Sequence, residues 1–422
     1  MSSQHAPAEW NGQPQHGWPD ETAARAHQAA ERAARDAYGK LVARLTRHTR
    51  DIAAAEDALA HAFAKALAVW SLRGVPDAPE AWLTTTAMNA FRDGTRRAAT
   101  TSAGAETLAI LAEERQSTTT APQFDDRLGL ILAASHPAIA PAVHAPLILQ
   151  TIFGVSAQEM APAFLIAPAS LSQRLVRAKT KIKAAGIPFD VDPPDRAARL
   201  SRALDAIYAL YTIASAAPPS PAASARASDA LHLAALVAHL APQDADAAGL
   251  AALIAFCEAR VPARRSPDGA FIPLSQQDTT LWRAELIKTG EAYLSRAYGL
   301  RAPGPYQLEA AIQSVHCDRR RTGRTNWSAV ATFYDVLTAL WPSVGASVAK
   351  AAAHAEAHGP ERGLEVLGEI PPESAESYQP FWAVKAHLET RLGGSDGTAL
   401  AKAIALADDD AVRAHLASLK AR

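Results

Sequence analysis

Residues 155–183 read VSAQEMAPAFLIAPASLSQRLVRAKTKIK, and the spacing within them decides how the chain is built. Leu171, Leu175, Ala178 and Ile182 recur at steps of three and four, one apolar stripe along a helix. Arg174, Arg177, Lys179, Lys181 and Lys183 occupy the other faces, with no acidic residue among them. Pro168 suits the first helical turn, where its missing N–H is no loss, and Gly186 suits the stop. Ser156, with Glu159 three residues on, reads as a capping box opening a shorter helix before the turn. Pro162 falls inside that helix, where it removes a hydrogen bond and favours a kink. Helix, short turn and basic helix together make a helix-turn-helix, whose second helix meets base edges with its N-terminal residues. Ser170, Ser172, Gln173 and Arg174 are the candidates for that readout. Arg177, Lys179, Lys181 and Lys183 are candidates for phosphate contact, which gives affinity without sequence information.

The rest of the composition agrees with a helical protein. Alanine is abundant and β-branched alternation is scarce, so the expected class is all-α. A chain of 422 residues accommodates several domains. Formal net charge is −1, so a nucleic-acid footprint must be local. Cys257 and Cys317 form no C-x-x-C pair, which fits a reducing compartment without a disulfide framework. No apolar run is long enough to span a membrane. The opening MSSQHAPAEWNGQPQHGWPDET lacks a basic start and an apolar run, so a flexible tail and a cytoplasmic location are expected.

Along the chain, Tyr38, Leu41, Val42 and Leu45 mark the buried side of a first helix, and Ala55, Leu59, Ala62, Phe63 and Leu67 that of a second. Asp51 is placed to cap the second, and a third starts at Pro79. A Ser/Thr-rich segment with one short helical stretch reads as a linker. Prolines at 187–195 suggest a hinge, and SAAPPSPAASARAS near 215–228 a second flexible stretch. Beyond it, helices separated by Pro and Gly suggest a tetratricopeptide-like array without a strict repeat. The expected parts are a tail at 1–25, domains at 26–100 and 125–190 joined by a linker at 101–124, and a helical-repeat domain at 191–422.

The stretch PEAWLTTTAMNAFRDGTRR, residues 79–97, places Trp82, Thr86, Asn89, Asp93, Arg96 and Arg97 at a spacing that resembles region 2 of bacterial extracytoplasmic-function sigma factors. AEDALAHAFAKAL resembles that region's polymerase-docking helix, and HPAIAP with QRLVRAKTKIKAAGIPF resembles region 4. LWRAELIKTGEAYLSRAYGLRAPGPYQLEAAIQSVH resembles the long C-terminal extension of one subgroup, so the likeness runs over roughly residues 35–420. It implies an RNA polymerase subunit that directs promoter-specific initiation, with core RNA polymerase and promoter DNA as partners. By the same likeness Asn89, Asp93, Arg96 and Arg97 serve the melted strand, and Glu56, Asp57 and Phe63 dock on polymerase. Trp82 is also readable as a core anchor, and Asp93 as a salt-bridge partner within its domain. Met88, His61, Ala134 and Ser135 depart from the family pattern. Met88, His61 and Pro162 favour an alternative, a sigma-like interaction protein that binds a partner, a protein or peptide, through its helical repeats without opening promoters.

Other chemistry finds little support. His354 and His358 stand four apart, but HAEAH lacks the glutamate placement of a zinc-protease helix. There is no phosphate-cradling glycine loop and no nucleophile elbow, so no enzyme, cofactor or metal is expected. The basic run DRRRTGR at 318–324 reads as a solvated loop.

Overall fold

Alanine lets the first helices of the chain lie close together. The computed structural model describes residues 18–101, 126–164, 166–216, 220–394 and 397–419. Helix α1 (Trp18–Thr49) begins inside the stretch read as a tail and buries Ala26, Ala30, Ala33, Ala37, Leu41 and Leu45. Asp51 caps α2 (Ile52–Arg73), accepting the Ala54 N–H at 3.2 Å. The buried stripe of α2 is Ile52, Ala55, Leu59, Ala62, Ala66 and Trp70. Phe63 is only half-buried and Leu67 is exposed, against the expected stripe. The small residues at 62 and 66 face the neighbouring helices instead, and small side chains let helix axes approach. α3 (Pro79–Thr101) starts at the expected proline and packs on α1 and α2. The linker expected at 101–124 lies outside the described residues except for Thr101, which ends α3.

α4 (Asp126–Ala134) and α5 (Pro141–Phe153) also pack on α1. Val143 through Leu149 are buried without a break, so α5 is an interior helix. Its His144 is satisfied there, with Nε2 at 3.0 Å from the Ile139 carbonyl. The capping box forms at α6 (Ala157–Met160): the Ser156 N–H meets Glu159 Oε2 at 2.8 Å, and the Glu159 N–H meets Ser156 Oγ at 3.2 Å. The chain then tightens into a 3-10 turn over Ala161–Phe164, the form taken by the kink expected at Pro162. α7 (Pro168–Ala184) buries Leu171, Leu175, Ala178 and Ile182, as their spacing predicts, and Lys179 besides. Gly186, at φ 58°, ends it: its N–H meets the Lys183 carbonyl and the Ile187 N–H the Ile182 carbonyl.

The prolines at 193–194 start a helix where a hinge was expected, because proline fits the first turn of α8 (Pro193–Ala216). Within the flexible stretch expected at 215–228, the described residues 215–216 and 221–228 are helical, the second group for the same reason. Ser220 caps α9 (Pro221–Leu240), accepting the Ala223 N–H at 3.1 Å, with proline at the first position. Apart from Asp246, Cys257 and Glu258, α10 (Ala245–Ala259) is buried along its whole length, as an interior helix must be. It packs against α9, α11 (Ala284–Gly299) and α12 (Pro305–Cys317). A side chain at Gly249 would come within 2.5 Å of the Gln307 backbone, so only glycine permits that approach. There follow α13 (Arg319–Thr322), α14 (Trp327–Leu340), α15 (Val344–His358), α16 (Pro360–Gly368), α17 (Pro372–Ala375), α18 (Gln379–Arg391), α19 (Thr398–Ala405) and α20 (Asp410–Leu419). From α14 onward the longer helices pack largely on their neighbours in sequence. Among the described residues the only β pairing is an isolated bridge between Arg265 and Phe271, so the protein is all-α.

Contacts gather the chain into two compact units. Unit 1 takes Met1–Ala161 and Ala167–Arg199, and unit 2 takes Pro162–Ile166 and Leu200–Arg422. The segments read as separate at 26–100 and 125–190 thus lie almost entirely in unit 1, and the boundary falls within α8 rather than among the prolines before it.

Candidate nucleic-acid and polymerase interface

The basic helix α7 divides into two halves with different fates. In its first half Ser170, Ser172, Gln173, Arg174 and Arg177 are exposed. Arg174 and Arg177 have no ion-pair partner among the described residues, and Val176 beside them is 60% exposed. The second half is held by unit 1 itself. Lys179 is buried and ion-paired with Glu56 of α2. Lys183 Nζ lies 2.7 Å from Asp51 Oδ2, at the cap of the same helix. Lys181 Nζ donates to the Ala138 carbonyl at 2.6 Å. The pairs 179 with 56 and 183 with 51 run in opposite senses along the two chains, so α2 and α7 cross antiparallel at this seam.

Electrostatics follow from burial. Desolvation pushes the Glu56 carboxyl above its ordinary value, and Lys179 opposes that without reversing it. The second carboxylate oxygen of Glu56 is buried without a hydrogen-bond partner among the described residues. Burial pushes the Tyr38 phenol up as well, with the Glu56 charge adding to it. Asp51 goes the other way: burial raises it, but Lys183 and the α2 N-terminal N–H groups outweigh that and hold it low. Arg47 adds a third tie, 2.8 Å from Asp126 and 3.7 Å from Asp190.

Of the other sequence-predicted residues, Asn89, Asp93 and Arg96 are exposed along one face of α3, and the side chain of Arg97 lies outside the described residues. Trp82 is half-buried, edge-on to the buried Trp70 with ring centroids 5.4 Å apart. Asp57 is exposed on α2 and Phe63 half-buried. The structure therefore brings Glu56 and Lys179 together, two residues read separately for polymerase and for DNA. Asp51 was read only as a cap, yet it holds Lys183. The available signal was a pair of acids at 51 and 56 matched by lysines at 179 and 183, each pair about one turn apart.

In unit 2, Arg319 stacks on Trp282 at 5.1 Å and donates to the Gln277 carbonyl at 2.9 Å, while Arg321 grips Asp318 at 2.9 and 3.0 Å. The run at 318–324 is thus part helix and partly docked, not a free loop. His354 Nε2 lies 3.0 Å from Asp335 Oδ1, which also holds Lys350 at 3.1 Å. Two clefts carry both signs of charge. One, of about 500 Å³, sets Asp335 and Glu369 against Lys350. The other, of about 580 Å³, sets Asp318 and Glu291 against Lys288, Arg320 and Arg321.

Residues 34–101, which span the end of α1, α2 and α3, match sigma-70 region 2, so this part of the chain is a sigma-70 region 2 domain. Residues 199–298 match a family of unknown function, DUF6596, whose start coincides with the boundary of unit 2. The chain is 32% identical over 383 residues to the uncharacterized protein R00370 of Rhizobium meliloti (strain 1021), covering 88% of this chain and 90% of that protein. No solved structure matches. Among the described residues no helix is long and apolar enough to cross a membrane.

Proposed function

We propose that the chain is an RNA polymerase sigma factor of the extracytoplasmic-function type, directing promoter-specific transcription initiation in the cytoplasm. The observation that carries this reading is the exposed first half of α7, with Ser170, Ser172, Gln173, Arg174 and Arg177 on a helix that follows a turn. Such a surface fits a major groove, where arginine reads guanine and the flanking cations meet phosphates. The exposed α3 face with Asn89, Asp93 and Arg96 suits the unstacked strand, and Asp57 with Phe63 suits docking on core polymerase. In this reading residues 26–100 act as region 2, 125–190 as region 4, and 191–422 as a tetratricopeptide-like regulatory extension.

Reconstitution with purified core RNA polymerase on a library of promoter fragments, followed by transcript sequencing, tests it. Discrete start sites sharing an upstream motif are expected, and core polymerase that binds the chain yet makes no transcripts would sink promoter opening. That second outcome would favour a sigma-like regulator that occupies its partner. The pairing of Lys179 with Glu56, which engages a DNA candidate and a polymerase candidate at once, is what supports this second reading.

A further inference from the structure

We infer that the cleft between α11 and α13 of unit 2 binds a small phosphorylated molecule, a phosphomonoester carried on a hydroxylated body. The inference stands apart from the proposed function and holds whether or not the chain initiates transcription. The cleft, of about 580 Å³, has the size of a small-molecule site. The 3-10 turn Thr279–Leu281 and the first half of α11 form one wall, and the end of α12 with α13 forms the other. Lys288 lines the first wall, and Arg320 and Arg321 the second. Arg321 is spent on Asp318, with bonds of 2.9 and 3.0 Å. Lys288 and Arg320 are exposed and have no hydrogen bond or ion pair among the described residues.

Two unspent cations on opposite walls of one cleft call for an anion of more than one charge. A phosphomonoester brings nearly two charges and three acceptor oxygens at neutral pH, where a carboxylate brings a single charge. The planar fork of Arg320 can hold two of those oxygens and the ammonium of Lys288 the third. The surroundings add charge of the same sign. Arg319, next to Arg320 in sequence, is fixed by the Trp282 ring at 5.1 Å and the Gln277 carbonyl at 2.9 Å. Burial, and then the charges of Arg260 and Arg319, push the imidazole of His316 down to about 4, a sign of positive potential beside the cleft residue Cys317. Asp278 is spent on the N–H and hydroxyl of Thr280, at 2.8 and 2.7 Å, and Thr279 keeps its hydroxyl for a ligand. Glu291 lines the cleft three residues beyond Lys288, where it repels phosphate but accepts a hydroxyl, so it suits the uncharged body of the molecule. A nucleic-acid strand carries a phosphate at every step and would meet Glu291 and Asp318 along with the cations, which favours the small molecule.

Ligand-observed NMR titration of the full chain with inorganic phosphate, glucose phosphate, adenosine monophosphate and unphosphorylated glucose tests the site. At least one ester is expected to bind with a Kd of about 1 mM or tighter, more tightly than inorganic phosphate, and glucose not at all. The double variant K288A/R320A should weaken that binding at least about ten-fold. Both side chains are exposed and unpaired, so its melting temperature should stay within about two degrees of wild type. Arg362→Ala, which removes an exposed cation of α16 outside the cleft, should leave the affinity unchanged. Absence of binding by every phosphate up to about 10 mM overturns the site, as does an affinity that the double variant does not change. Inorganic phosphate binding as tightly as both esters overturns the hydroxylated body. A single-stranded oligonucleotide that needs Lys288 and Arg320, and that neither ester displaces, overturns the small molecule and makes the cleft a backbone contact.

Discussion

Arg174 and Arg177 stand three residues apart on the open half of α7, and under the proposed function the same charge would have a different task at each. A side chain near the N-terminus of a recognition helix reaches base edges, whereas one a turn later meets backbone. Arg174→Glu should therefore abolish recognition of the upstream element, since a good bidentate base contact is worth about 1–3 kcal/mol and reversal adds repulsion. Arg177→Ala should weaken binding to all sequences alike and reduce the salt slope by about one. Fluorescence anisotropy on matched and scrambled duplexes separates the two, and identical behaviour of both variants would refute the assignment.

Asp246 and His316 of unit 2 make a second argument from single residues. Burial pushes the Asp246 carboxyl up to about 6, although it accepts N–H bonds from Tyr306 and Gln307 at the start of α12. Burial, with the charges of Arg260 and Arg319, pushes the His316 imidazole down to about 4. Between pH 4 and 6 the folded Asp246 binds more protons than the unfolded chain, so its contribution to stability is lost as pH rises. The folded His316 binds fewer between pH 4 and 6.5, so its contribution is lost as pH falls. The two nearly cancel in the wild type. Asp246→Asn keeps the acceptor oxygen and removes the charge, so it should raise stability at pH 7 by about 2 kcal/mol. It should also expose the histidine, giving a loss of similar size between pH 6.5 and 4. Calorimetric melting across that range checks it, and a variant parallel to wild type at every pH would count against both shifts.

At the scale of elements, the contact of α2 with α7 turns on one buried pair. Removing one partner of such a pair strands a charge, typically at about 3–5 kcal/mol, whereas replacing both with apolar residues is often neutral. Lys179→Met should thus lower the melting temperature of unit 1 sharply, and Glu56→Leu combined with it should recover most of the loss. Failure of the double variant to recover would mean that the seam depends on more than this pair. The same element shows where sequence reading stops. The apolar stripe of α7, its proline start, its glycine stop and the capping box before it were all local and all legible. Lys179 was not, because a lysine flanking a stripe reads as solvated, and its partner lies 123 residues away. Phe63 was misjudged on α2 for a related reason: a large apolar residue outranks alanine in a pattern, but close-packed axes prefer the alanine. The proline-rich stretch at 215–228 carried its own correction, since serine followed by proline is also how a helix starts.

For the whole molecule, the boundary between units falls at residue 199/200, where the match to DUF6596 also begins. Each unit has its own buried helix at the centre, α5 in one and α10 in the other. A chain with two separate cores is expected to unfold in two cooperative steps, with a calorimetric enthalpy exceeding the van't Hoff enthalpy of a single transition. The variants assign the steps. Lys179→Met should move the transition of unit 1 and leave the other within about a degree, while Asp246→Asn should do the reverse, because distant and independent sites add without coupling. Both variants moving both transitions together would show that α8, the helix within which the boundary falls, joins the units into one cooperative body. In that case a signal bound by unit 2 would reach the α2–α7 seam through folding energy, and the regulatory role proposed for the extension would gain a physical route.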